Sequence, residues 1–146
     1  MLEDIAAIDA KYKQFVEQAA TSKLVWGLKD KQGWANTDSG AEEEGDVIPF
    51  WSDKAQAKAC AREDWKGYLP TFIALPEFLE SWCVEMAENN VLAGVNWDAN
   101  MFGKEVNALE LALDILEQVK TTGLDIKFLN YESVDAFIAE IETAFE

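Results

Sequence analysis

Histidine is absent from this chain of 146 residues. With it go the commonest general base and metal ligand of proteins, and every Ser–His or Cys–His nucleophile pairing. Catalysis by a carboxylate, lysine or tyrosine stays open, but the balance leans away from an enzyme. The only two cysteines, Cys60 and Cys83, form neither a Cys-x-x-Cys redox pair nor a zinc pattern. They read as buried free thiols, at home in a reducing cytoplasm. No G-x-G-x-x-G or Walker phosphate loop occurs, and no cofactor is implied. No apolar run approaches the roughly 18 residues of a membrane span. The opening Met1-Leu2-Glu3-Asp4 lacks the basic region of a secretory signal. Basic residues are scarce too: 12 Lys and Arg against 28 Asp and Glu leave a net charge of −16. That field repels phosphate groups, so neither nucleic acid nor a membrane is an expected partner. It attracts a basic protein, although solubility is the plainer reason for such a charge.

What is present is an apolar fraction of 49% and six tryptophans: Trp26, Trp34, Trp51, Trp65, Trp82 and Trp97. An indole buries a large area while its N–H wants a partner, so this density marks a packed core rather than a reaction. A chain of this length buries roughly 68–70% of its unfolded surface as one domain. Without repeat or linker, residues 1–146 read as a single domain, monomeric or homodimeric.

Apolar residues at Ile5, Ile8, Tyr12, Phe15, Val16 and Ala19 predict a helix over residues 2–20. Residues 24–29 and 34–36 flank Asp30-Lys31-Gln32-Gly33 and predict a β-hairpin. Residues 37–46 read as an acidic loop, with the three glutamates 42–44 in solvent. Val47 to Trp51 is the next strand, and Pro49 places it at an edge or a bulge. Ser52 is a natural N-cap for a helix over 53–65, whose alanines let it lie close to a sheet. A strand over 71–75 precedes a helix starting at Pro76, with Phe78, Leu79, Trp82, Cys83 and Met86 as its buried stripe.

Residues 91–97 are the most central strand, Gly94 permitting close approach of a neighbouring backbone. After a loop at 98–103, Asn107 and Glu110 resemble a capping box for a helix reaching about Lys120, and Gly123 stands at its C-terminal stop. A short apolar segment, 126–129, leads to a last helix whose stripe is Val134, Phe137, Ile138, Ile141 and Phe145. Strands that alternate with helices imply an α+β domain. Its mixed β-sheet combines a hairpin with βαβ-type crossovers, and helices pack on it.

The phrase Asn96-Trp97-Asp98-Ala99-Asn100 spaces oxygen ligands at alternate positions. It is no EF-hand, because Met101 falls where glycine is needed and Asn107 where glutamate is needed. No metal site is expected. Polar side chains at the end of a central strand do occupy the usual crevice of open α/β sheets, so Asn96, Asp98 and Asn100 are candidates to line a polar pocket. The simpler reading is that they bond local backbone and shape the turn. No residue stands out as catalytic: adjacent helical residues such as Glu63 and Asp64 point about 100° apart and read as a solvated helix end. Trp34 and Trp65, flanked by polar residues, are the tryptophans expected to be partly exposed and able to anchor a partner.

Three phrases carry a resemblance: Val25-Trp26-Gly27-Leu28 with Gly33-Trp34; Ile48-Pro49-Phe50-Trp51-Ser52-Asp53 running through Ala57-Lys58-Ala59-Cys60-Ala61 to Trp65; and Gly94-Val95-Asn96-Trp97. Together they resemble an uncharacterised bacterial family, domain of unknown function 2750, over a core of about 10–120. Residues 124–146 form an extra C-terminal segment. The resemblance implies no activity and no catalytic residue. A second similarity, to the N-terminal domain of SseB-like proteins, implies an α/β interaction domain by analogy.

The expected function is therefore a non-catalytic protein-binding module directed at a basic partner, immunity- or inhibitor-like in one form. The alternative is a small-molecule or catalytic domain built on Asn96, Asp98 and Asn100. A third possibility packs the last helix on another copy, although the domain's own core is its simpler partner.

Overall fold

The computed structural model describes residues 2–38, 45–99, 103–124 and 126–144. Their order is α1 (Leu2–Ser22), β1 (Leu24–Asp30), β2 (Gly33–Trp34), β3 (Thr37–Asp38), β4 (Asp46–Phe50), α2 (Lys54–Ala59), a 3-10 turn (Glu63–Trp65), β5 (Leu69–Ala74), α3 (Leu75–Glu77), a π turn (Phe78–Trp82), α4 (Cys83–Glu88), β6 (Val91–Val95), β7 (Lys104–Asn107), α5 (Ala108–Thr122) and α6 (Val134–Ala144). This is a mixed α+β single domain with hairpin and crossover topology. Among the described residues no helix is long and apolar enough to cross a membrane.

The strands form an antiparallel sheet ordered β2-β1-β5 and a mixed sheet ordered β3-β4-β6-β7. In the second, β4 and β6 run parallel, with Val47 opposite Leu92 and Phe50 opposite Val95. The sheets meet where Trp26 and Trp51 exchange both backbone hydrogen bonds at 2.8 Å. Pro49 is not on an outer edge, since β4 has β3 on one side and β6 on the other. The β3 ladder stops at Val47, however, so β3 offers Pro49 no partner. By alternation between Val47 and Trp51, Pro49 faces away from β6, so its missing N–H interrupts no bond to that strand.

Both faces of β4 are covered. Phe50 joins a large core with Phe15, Phe78, Leu111 and Ile115, while Val47 and Trp51 join a smaller one with Ala57, Cys60, Trp65 and Trp97. Burial on both faces explains why residues 47–51 read as an unbroken apolar run rather than an alternation.

Several expected boundaries change. Asp53, not Ser52, caps α2: its carboxylate accepts from the Gln56 N–H at 2.8 Å. The helix expected over 53–65 ends at Ala59, and the chain re-forms a 3-10 turn at Glu63, whose φ is +53°. The loop expected over 37–46 contains β3, while residues 39–44, including the three glutamates, lie outside the described residues. Residues 104–107, given no strand by their polar sequence, form β7 against β6. Asn107 caps α5 as expected, accepting from the Leu109 and Glu110 N–H groups, and Gly123 ends it with φ +69°. The last helix packs on its own domain: Phe137 is fully buried and Ile141 nearly so. Phe145 lies outside the described residues.

Candidate functional site

The C-terminal ends of the parallel pair β4 and β6 place Ser52 beside Asn96. Asn96 adopts φ +47°, a left-handed conformation that asparagine tolerates better than most residues. The residue is 1% exposed. Its Oδ1 accepts from the Ser52 N–H at 2.9 Å, and its Nδ2 donates to the Ser52 hydroxyl at 3.1 Å and to the Lys11 carbonyl at 3.2 Å. The Ser52 hydroxyl in turn donates to Gln18. This buried amide therefore ties α1 to both strand ends, each of its polar atoms engaged, as buried polar groups require.

Outside that knot lies a cleft of about 310 Å³, lined by Lys11 and Gln14 of α1, Gln56 and Ala59 of α2, and residues 96–99. The structure thus brings Asn96 and Asp98 to one polar cleft. Asn100 lies outside the described residues. Cys60 pins the cleft wall, its thiol donating to the carbonyls of Trp97 at 3.3 Å and Asp98 at 3.2 Å. Burial pushes that thiol's pKa up. Lys11, Gln14, Gln56 and Asp98 supply one ammonium, two amides and one carboxylate, a set suited to holding a small polar molecule. Among the described residues no group of three or more His, Cys, Asp or Glu could hold a metal ion.

Of the two tryptophans expected to be partly exposed, Trp34 is so placed and Trp65 is not. Trp65 is 5% exposed and meets Trp51 edge to face, because the 3-10 turn folds it into the smaller core. It is not an exposed anchor. Trp34 is half-buried: its ring lies on Gly27, meets Trp82 edge to face at 4.8 Å and has the Lys29 ammonium 5.1 Å from its centroid. Among the described residues, the large apolar side chains most open to solvent are Leu69, Phe72 and Leu129. Polar neighbours in sequence misplace Trp65, since they report solvent along the chain and not across the fold.

A second surface feature lies at the other end of the sheet. Residues 67–146 carry 15 acidic and three basic side chains, −12 of the net −16. Between α4, α5 and α6 runs a groove of about 340 Å³. Val84, Ala87, Leu109, Tyr131, Phe137, Ile141 and Ala144 line it, with the carboxylates of Glu88 and Glu140. The asymmetry of charge between the halves of the sequence is the signal that points there.

A family model described as "Protein of unknown function (DUF2750)" matches residues 12–115. The chain belongs to the DUF2750 family. The match bears out the resemblance carried by the three Trp-containing phrases, at slightly narrower bounds. It takes in the polar cleft apart from Lys11, which falls one residue short. The α6 wall of the groove lies beyond the DUF2750 match, which stops inside α5. No curated protein and no solved structure matches the chain.

Proposed function

We propose that this DUF2750 chain is a non-catalytic protein-binding module whose acidic helical side receives a basic partner. An immunity- or inhibitor-like role toward a cationic protein is one form of it. The observation that carries the reading is the segregation of charge: nine of the 12 basic residues precede residue 67, whereas the helices after it carry exposed Glu85, Glu88, Glu110, Glu117, Glu140 and Glu142. Such a field speeds and orients the approach of a basic protein and is screened by salt within about 8–10 Å at physiological ionic strength. The test is capture of partners on immobilised protein, eluted with a salt gradient. One stoichiometric basic protein released at moderate salt is expected; an association indifferent to salt speaks against the reading.

A second reading has its own support, the polar cleft at the carboxyl ends of β4 and β6, where ligands of open α/β sheets gather. A thermal-shift screen of small polar molecules should find one whose stabilisation disappears in Asp98→Ala. A hit that Asp98→Ala leaves unchanged removes the cleft from consideration.

A further inference from the structure

We infer that the groove between α4 and α6 is the seat of an amphipathic basic segment of the partner, apolar side chains inward and Lys or Arg toward Glu88 and Glu140. The inference rests on the protein-binding reading above and names the part of the acidic side that would be used. Four observations carry it.

The floor is apolar, built from Val84, Ala87, Leu109 and Ile141, yet the charged groups in the lining are both carboxylates. An uncharged apolar ligand would leave those charges unused, and an anion would be repelled. A segment with an apolar face and cationic flanks satisfies both parts, the arrangement of a helix laid into a groove. The volume of about 340 Å³ sits at the low end of ligand-sized pockets, so it takes a few anchoring side chains and not a folded domain.

The walls are held in place before anything binds. Phe137 is fully buried, stacked on Tyr131 at 4.1 Å and edge-on to Phe128 at 5.2 Å. The Glu80 carboxylate accepts from the Leu129 and Asn130 N–H groups at 3.0 and 2.7 Å, fastening the approach to α6 onto the π turn that leads into α4. A preformed groove avoids the ordering cost that weakens association. Charge also argues against a second copy as occupant, because a copy brings the same net −16 to the contact.

The probe is a synthetic amphipathic peptide of leucine and lysine, with a scrambled peptide of the same composition as control, titrated calorimetrically at low salt. One copy of the amphipathic peptide is expected to bind, at least about tenfold tighter than the scrambled one. Ala87→Trp, which fills the half-buried floor, should remove that tenfold preference. Glu88→Lys with Glu140→Lys, both on exposed positions, should weaken the amphipathic peptide by a similar factor and carries the test if Ala87→Trp fails to fold. Equal binding of the two peptides, or binding that Ala87→Trp leaves intact in a folded variant, overturns the groove as the seat while the acidic side stays a binding surface. No binding of either peptide at low salt overturns the protein-binding reading itself.

Discussion

Trp97 lies between two glycines. A Cβ built on Gly94 would stand 2.6–2.9 Å from the indole, and one on Gly103 would meet its Cδ1 at 2.2 Å. The close approach that Gly94 permits is therefore by a ring three residues ahead and not by a neighbouring backbone. Gly94→Ala should destabilise the protein by about 1–3 kcal/mol through overpacking, read by urea denaturation. Its effect should exceed that of Gly123→Ala, where positive φ is the only obstacle. Titratable residues set the alkaline limit. Tyr12 donates to the Asp114 carboxylate, and burial, reinforced by that bond, pushes its pKa well above the usual 10. Burial likewise raises Cys83 and Cys60 above the usual 9. In each case the folded state keeps a proton that the unfolded chain releases. The stabilisation is complete below about pH 9 and declines as the pH climbs through 9 and 10. Thermal melts across that range should show a falling Tm, with a shallower fall above pH 10 in Tyr12→Phe.

Elements differ in how far their own residues specify them. α6 follows from its stripe, and the structure buries Phe137, Ile138 and Ile141 as that spacing requires. Phe137→Ala should cost about 3–5 kcal/mol by equilibrium unfolding, since the ring is fully buried among aromatic neighbours. If α6 served only as an interface with another copy, that loss would appear in oligomer mass instead. β7 is the opposite case. Lys104, Glu105 and Asn107 leave Val106 as its single core residue, and it exists because β6 offers a ladder from Leu92 to Val95. The break after α2 is also tertiary: Ala57 and Cys60 already face the small core, and ending the helix lets Trp65 reach it as well.

The sequence is electrically lopsided, −4 over residues 1–66 against −12 over residues 67–146, and its net charge has two opposite salt effects. A net charge of −16 makes like charges repel one another in the compact state, so added salt should raise the Tm of the isolated protein at neutral pH. The same salt should weaken binding of the basic partner proposed above. Seeing both trends in one preparation separates screening from a general salt effect on stability. A Tm that ignores moderate salt would mean that the acidic side is too dispersed to act as one field.

Local pattern by itself determined much of this protein: the α+β class, most helices and strands, the caps at Asn107 and Gly123, the buried thiols, the net charge and the family. These depend on spacing within a few residues, or on composition, and need no knowledge of what lies opposite. Only the tertiary structure decided what the candidate site residues do. Asn96 is an apt pocket residue in sequence, yet its amide is engaged by Ser52, 44 positions away, and by the Lys11 carbonyl, 85 positions away. Trp65 looks exposed among its neighbours and is covered by Trp51. The groove joins Val84 to Ile141, 57 positions further on, with β6, β7 and α5 between them. A polar atom binds whichever partner the fold brings to within about 3 Å, and sequence separation carries no information on that distance.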